Sequence, residues 1–134
     1  MKVAISRCVV ELIQRAAAEA VPHEACGLLF GENGAIDAAS VEANVAENPL
    51  ARFEIDPAAL FVSIRAERNG GPHVAGYWHS HPSGDAQPSA TDAAMAAPDG
   101  KLWLIVAGTS VSGWQAVESG ARHGRFEPVA LDIV

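Results

Sequence analysis

The feature that constrains this chain most is a pair of histidines at the end of an apolar run, followed closely by a serine and an aspartate. Residues 76–92 read GYWHSHPSGDAQPSATD. Side chains at positions i and i+2 of a strand leave the same face, so His79 and His81 can converge on one point. The proline that follows cannot continue a central ladder and ends the strand. Ser89 then opens an alanine-rich segment that predicts a short helix, with Asp92 in its first turn.

Two imidazoles and one carboxylate make three nitrogen or oxygen ligands. A catalytic zinc ion uses such a set when its fourth position is left for water. A simpler interpretation stays open beside this one, because a lone His-x-His is common. Ser89 and Asp92 also match a capping signature, in which the serine caps the backbone and the aspartate favours the positive helix end. Their occurrence together on one strand–turn–helix unit favours the metal site.

The full pattern resembles a known zinc signature. His-x-His-Pro, six residues and Ser-x-x-Asp (residues 79–92) is similar to the motif of the JAMM (MPN-plus) metallopeptidase family. The family's other element, a glutamate ahead of Cys-Gly and an apolar strand, resembles residues 22–31, PHEACGLLFG. Residues 44–57, NVAENPLARFEIDP, are similar to the middle of short prokaryotic members. The resemblance therefore covers nearly the whole chain.

The resemblance implies a role for each motif residue. His79, His81 and Asp92 would hold one Zn²⁺ ion with a bound water. Glu24 would be the general base that takes a proton from that water and then passes it to the leaving nitrogen. Ser89 would help to stabilise the oxyanion. Taken without the resemblance, Glu24 is an ordinary loop acid, and its His-Glu pair is not a zincin motif because a glycine stands where the second histidine is required.

The resemblance also implies a reaction and a substrate class. A zinc metallopeptidase of this family would hydrolyse the peptide or isopeptide bond after the glycine tail of a ubiquitin-like protein. The stretch between residues 93 and 101 is short, so the chain lacks the large insertions by which deubiquitinating members of the family hold ubiquitin. This favours a resemblance to the small bacterial branch, which acts on sulfur-carrier proteins. Two alternatives stay open: a non-catalytic MPN-type module that binds proteins, and a zinc hydrolase linked to DNA metabolism.

Charge and cysteine content exclude several other classes. The formal net charge of −7 argues against a nucleic-acid partner, because phosphate binding requires a basic surface. Two cysteines do not make a disulfide framework. Charged residues interrupt the N-terminal segment where a signal peptide needs an apolar region, and no run approaches membrane-spanning length. We therefore expect a soluble, cytoplasmic protein whose partner is a ubiquitin-like or sulfur-carrier substrate, with no membrane partner.

The length and the order of elements predict the fold. A chain of 134 residues is enough for one core, so we expect a single domain over residues 1–134. The patterns predict the order βαββαβαβββ, an α/β (mixed α+β) fold in which a mixed sheet packs against helices. The resemblance implies an MPN-like fold with cytidine-deaminase-like layering. The predicted return strand covers residues 35–46, and a second helix begins at Asp56 with three inward-facing side chains: Leu60, Phe61 and Ile64.

Three residues near the motif receive smaller roles. Cys26 is predicted to be a small buried hydrophobe. Asp85 could orient a ligand imidazole, although a turn residue beside Gly84 is the simpler interpretation. Trp78 should point away from the histidine face and into the core.

Overall fold

The computed structural model describes residues 1–134. It contains eight strands and three helices. In chain order they are β1 (Lys2–Ile5), α1 (Arg7–Ala20), β2 (Cys26–Phe30), β3 (Ala35–Ile36), β4 (Ala38–Ala39), α2 (Pro57–Arg68), β5 (Val74–Ser80), α3 (Ala90–Met95), β6 (Leu102–Ala107), β7 (Ser110–Gly120) and β8 (Gly124–Ile133). No helix is long and apolar enough to cross a membrane.

The strands form one mixed sheet in the order β3-β1-β8-β7-β6-β5-β2-β4. β1 runs parallel to β3 and β8, and β5 runs parallel to β6. The remaining neighbours are antiparallel. This arrangement confirms the predicted mixed α+β class, with one more strand than the pattern indicated. Strand β5, which contains His79 and is followed directly by His81, lies between β2 and β6, inside the sheet.

One face of the sheet is covered by α1. This helix begins after Ser6, whose side chain accepts a hydrogen bond from the Cys8 amide. Its apolar residues recur at helical spacing, and the resulting stripe is buried against the strands. The core on this face contains fourteen buried residues: Val3, Ile5, Val9, Val10, Ile13, Ala17, Ala25, Leu29, Ile36, Trp78, Leu102, Leu104, Val106 and Val129. Trp78 is fully buried there, as predicted.

The other face is covered by α2, α3 and the irregular segment between β4 and α2. Its core is smaller and more aromatic, with nine buried residues: Cys26, Leu28, Phe53, Ile55, Val74, Ala96, Trp103, Ala116 and Phe126. The polar side chains of the sequence motif lie on this face. We call the two sides the α1 face and the site face.

The predicted return strand over residues 35–46 is present only in part. The turn forms at Asn33 and Gly34, both of which have positive φ. The chain then makes two separate two-residue strands, with β3 beside β1 and β4 beside β2. Ile36 is the one large apolar side chain ahead of residue 41 in this segment. It pairs with Ile5 and joins the α1-face core. The chain then returns antiparallel to β2 as far as Glu42, whose amide donates to the Cys26 carbonyl at 2.9 Å, so the return is present but divided and shorter than predicted.

The predicted inner face of α2 is also wrong at one position. The helix begins at Asp56 and Pro57 as expected, but none of its residues is fully buried. Phe61 is 63% exposed, whereas Leu60 is partly buried against the site-face core. Consecutive helical residues are about 100° apart around the axis, and the orientation of α2 that packs Leu60 against the core turns Phe61 toward solvent.

Candidate metal and catalytic site

Strand β5 presents His79 to the site face because successive side chains of a strand alternate between its two faces. Pairing with β2 is regular from Gly76 to His79, so that Trp78 points to the α1 face and His79 to the site face. At Gly76 the backbone lies directly against β6, and a Cβ atom would clash with the Leu102 carbonyl. His81 follows the end of β5, where its amide donates to the Val106 carbonyl at 2.9 Å.

Helix α3 delivers the carboxylate through a capping box. The Ser89 hydroxyl oxygen accepts a hydrogen bond from the Asp92 amide, and Asp92 Oδ2 accepts one from the Ser89 amide, both at 3.0 Å. The capping interpretation of the sequence is therefore correct. It does not compete with the ligand interpretation, because the capped geometry holds the same Oδ2 atom beside both histidines.

Three ligand atoms converge in this buried space. The Nε2 atoms of His79 and His81 lie 3.0 Å apart, and each lies 3.1 Å from Asp92 Oδ2. These residues are 0%, 7% and 2% exposed. A tetrahedral zinc site with bonds of about 2.0–2.1 Å separates its ligand atoms by about 3.3 Å. The triangle found here is close to one face of such a tetrahedron, so the three residues fit a zinc ion.

The hydrogen bonds of the rings favour the same conclusion. His81 Nδ1 lies 2.8 Å from the Asp85 carbonyl oxygen, which can only accept. The ring proton of neutral His81 is therefore on Nδ1, which leaves the Nε2 lone pair free for a metal. Asp85 thus orients the ring through its backbone, while its carboxylate accepts from the Gln87 amide as a turn residue. His79 Nδ1 is buried without a partner, and its ring stacks on Phe53 with centroids 4.4 Å apart.

Glu24 lies just before β2, close to the two histidines. It is 6% exposed, and its Oε1 atom is buried without a hydrogen-bond partner. One ligand atom each from Glu24, His79 and His81 lies within 4.8 Å of the others. Glu24, His81 and Ser89 also line one cleft of about 240 Å³ that opens to solvent. All five residues singled out by the motif are therefore brought to one place, while Ser89 lies at the cleft wall.

Burial and charge shift the pKa values of the site groups in different directions. Burial raises the pKa of Glu24 to about 7; the nearby His81 opposes this shift and Asp92 adds to it. Burial also acts to raise the pKa of Asp92, but hydrogen bonds from His79 and His81 outweigh it and hold this pKa well below its usual range. Burial lowers the pKa of His79. For His81, burial acts to lower the pKa, but contacts with Asp92 and the Asp85 carbonyl raise it overall.

Cys26 does not take part in this chemistry. Its side chain is fully buried, and its sulfur contacts the carbonyls of Glu42 and Ala43 at 3.7 and 3.8 Å. Burial raises the pKa of the thiol to about 12, and the neighbouring charges of Glu42 and Glu24 add to this increase. The reactive thiolate is therefore scarce at neutral pH. The prediction of a small buried hydrophobe agrees with this environment.

The segment between β4 and α2 contains contacts that the sequence did not predict. Phe53 stacks on His79 and closes one side of the site. Asn44 hydrogen-bonds to the Glu24 carbonyl oxygen at 2.9 Å. A larger apolar cleft of about 330 Å³ lies on the other side of Phe53, against Trp103 and Leu60. Glu24, His81 and Ser89 line the smaller cleft and not this one.

The comparison with protein families gives a match over most of the chain. A family model described as prokaryotic homologues of the JAB domain matches residues 6–120. This range includes Glu24, both histidines, Ser89 and Asp92. More than half of the chain is covered, and so the match establishes the family.

Individual relatives agree with that match. A protein named desampylase, from Haloferax volcanii, is 38% identical over 86 residues, which are 63% of this chain and 62% of that protein. The alignment thus spans somewhat less than two thirds of the relative's length. A solution structure from Desulfitobacterium hafniense superposes with a TM-score of 0.80 at 23% identity, covering 100% of this chain and 94% of the other. A structure described as JAMM, a metalloprotease-like zinc site in the proteasome and signalosome, has a TM-score of 0.61 at 22% identity, covering 100% and 99%. These two structures establish the shared fold.

Proposed function

The chain belongs to the prokaryotic homologues of the JAB domain, and from this premise we propose that it is a zinc-dependent isopeptidase of the JAMM type. Its reaction is hydrolysis of the amide bond after the C-terminal glycine tail of a ubiquitin-like or sulfur-carrier protein. The observation that carries the proposal is the convergence of His79 Nε2, His81 Nε2 and Asp92 Oδ2 within 3.1 Å of one another, beside the buried carboxylate of Glu24.

In this proposal His79, His81 and Asp92 hold the metal. When bound, a zinc ion supplies a Lewis acid and an acidified water, whose pKa falls from 15.7 to about 7. Burial of all three ligands excludes competing solvent. The Nδ1–H bond from His81 to the Asp85 carbonyl fixes the tautomer that this ring needs. The capping box fixes the Asp92 carboxylate through the first turn of α3.

Glu24 moves the proton. Its Oε1 atom has no partner in the protein and is therefore available to accept a proton from water and donate it to the leaving nitrogen. Ser89 provides a hydroxyl at the wall of the same cleft. The cap uses only one acceptor position of this hydroxyl, so its O–H remains free to donate to a developing oxyanion.

The substrate class rests on the relative rather than on the cleft. Desampylase is named for removing a ubiquitin-like modifier, and the alignable part of that protein is 38% identical to this chain. The cleft is small and open, as expected of a site that takes an extended tail rather than a bulky side chain. A sulfur-carrier protein presents the same kind of glycine tail, so it is included in the proposal.

The test uses zinc-loaded protein and three conjugates of one ubiquitin-like protein. Its glycine tail is joined to a lysine side chain, to a linear peptide and to cysteine, and the products are identified by mass spectrometry. We expect cleavage after the tail in at least one conjugate, abolished in Glu24→Gln. Cleavage of the lysine conjugate alone assigns a modifier-removing role, whereas preference for the cysteine adduct assigns a sulfur-carrier role. If none of the three conjugates is cleaved, the proposal is rejected.

A further inference from the structure

We propose that Asn44 is a positioning residue that holds Glu24 in place beside the histidine–aspartate cluster. The inference rests on the proposed function, in which Glu24 is the general base, and it adds a residue to which the sequence pattern assigned no role. It concerns residues 44–54, which we call the bracing loop. This loop lies between β4 and α2 and covers the site face of the sheet beside Glu24 and His79.

The side-chain amide of Asn44 uses its full hydrogen-bonding capacity. Its Nδ2 atom donates to the carbonyls of Glu24 and Arg52, at 2.9 and 3.0 Å. Its Oδ1 atom accepts from the amides of Ala46 and Glu54, both at 3.1 Å. An asparagine amide offers two donors and two acceptor lone pairs, and all four are engaged here. Because carbonyls only accept and amides only donate, the orientation of the group is fixed as well.

Glu24 depends on this loop for its backbone position. It lies outside β2, and its amide donates to the Pro49 carbonyl at 2.8 Å. Its carbonyl accepts from Asn44. Both backbone bonds of the base therefore go to the bracing loop and none goes to the sheet. The carboxylate itself has a buried oxygen without a partner, so no side-chain bond compensates if the backbone moves.

The same amide also controls the opposite end of the site. Phe53 lies between the two loop residues, Arg52 and Glu54, that bond to Asn44. Its ring is 4% exposed and stacks on His79 at an interplanar angle of 20°. One side chain thus links the backbone of the base to the ring that packs on a proposed metal ligand. Asn44 therefore sets the position of Glu24 relative to the histidine–aspartate cluster.

The test compares the same substitution at two asparagines of the bracing loop. Asn44→Asp removes both donors, whereas Asn48→Asp changes the net charge equally at an exposed residue whose side chain makes no hydrogen bond. We expect Asn44→Asp to lower kcat by about a hundredfold with little change in KM, because small misplacements of a catalytic group have effects of that size. Asn48→Asp should behave as wild type. Equal kcat values in the two variants would overturn the proposal.

A double-variant comparison separates positioning from general damage. If Asn44 acts through Glu24, then Asn44→Asp should cause no further loss of kcat in a Glu24→Gln background. Independent effects that multiply would contradict the proposal. Zinc content should stay at the wild-type value in Asn44→Asp, since the three proposed ligands come from β5, the residue after it and α3. Loss of zinc would also count against it.

A readout that needs no turnover keeps this inference separate from the proposed function. Hydrogen–deuterium exchange should be at least about tenfold faster for the Glu24 amide in Asn44→Asp, and unchanged in α1 and in Asn48→Asp. Faster exchange at Glu24 without any activity in wild type would reject the function and retain the brace. Unchanged exchange would reject the brace. If Asn44→Asp does not fold, the exchange measurement is repeated with Asn44→Ser, which places no charge beside the carbonyls. Global unfolding of both variants would overturn a local role for Asn44.

Discussion

The two faces of the sheet are built from the same strands but treat polar groups differently. On the α1 face, Trp78 is buried and its indole nitrogen donates to the Ser40 carbonyl at 2.7 Å. On the site face, the next residue along β5, His79, is equally buried but keeps a ring nitrogen without a partner. Glu24 does the same with a carboxylate oxygen. An unpartnered buried polar atom has an energetic cost, and a catalytic role is one explanation for it.

The comparison predicts that changes on the two faces have separable effects. The α1 face should control the stability of the fold, because its side chains are apolar and densely packed. The buried polar groups of the site face should control metal binding and turnover, whereas its apolar core, which includes Phe53, should contribute to stability as the α1 face does. A substitution that changes stability and turnover together would show that the two faces are coupled through the strands.

The largest effect is expected at Glu24. Glu24→Gln keeps the shape of the side chain but removes its ability to accept a proton, so turnover should fall by about 10²–10⁴-fold. Zinc content and melting temperature should stay close to wild type, since no proposed ligand is changed. Steady-state kinetics, elemental analysis and thermal unfolding measure the three quantities. A variant that loses its metal would show that Glu24 is a ligand instead.

A core substitution on the α1 face should give the opposite result. Leu104 is fully buried there, and Leu104→Ala should lower the free energy of unfolding by about 2–5 kcal/mol through lost contacts and a cavity. Turnover per folded molecule should not change. Denaturant unfolding gives the first quantity, and kinetics well below the melting temperature give the second. A parallel loss of turnover would break the separation between faces.

Ser89 should affect both properties, and a second helix cap allows them to be distinguished. Ser89→Ala removes the cap of α3, and Asp56→Ala removes the cap of α2, whose oxygen accepts from the Ala58 amide at 2.9 Å. Each should destabilise the protein by about 1 kcal/mol. Only Ser89→Ala should also reduce turnover, by about 10²–10³-fold if its hydroxyl stabilises the oxyanion. Equal turnover in both variants would leave Ser89 with capping alone.

The smallest effect is expected on the outer side of α2. Phe61 is 63% exposed, and Phe61→Ala should change the free energy of unfolding by no more than about 0.5 kcal/mol. Phe53 is 4% exposed, so Phe53→Ala should cost about 3–5 kcal/mol. Chemical denaturation of the two variants under one set of conditions makes the comparison. A large effect at Phe61 would mean that this side of α2 is covered in solution.

The sequence predicted the parts of the site that depend on local geometry. The i, i+2 spacing of His79 and His81 and the first-turn position of Asp92 follow from a strand and a capped helix, so their approach could be foreseen. The bracing contacts of Asn44 could not, because they depend on how an irregular loop folds back on itself and on Glu24. No periodicity records such a contact.

The errors in the fold have a similar origin. The sequence predicted one return strand over residues 35–46, but pairing of Ile36 with β1 divides it. For α2, three apolar residues suggested an inner face, but the helix lies at the edge of the site-face core and buries none of its residues fully. Tertiary contacts decided both cases. The local sequence pattern predicted an element correctly only where its contacts were also local, as in the capping box of α3, or where one face was plainly apolar, as in α1.

The most direct test of the proposed metal site is elemental analysis of untagged protein purified without added metal and then equilibrated with zinc and desalted. Wild type and Leu104→Ala should each contain about one zinc per chain, and His79→Ala should contain little or none. That result would place the metal on the site face, held by the residues that converge there. No zinc in wild type, or full zinc content in His79→Ala, would contradict the metal site on which the proposed reaction depends.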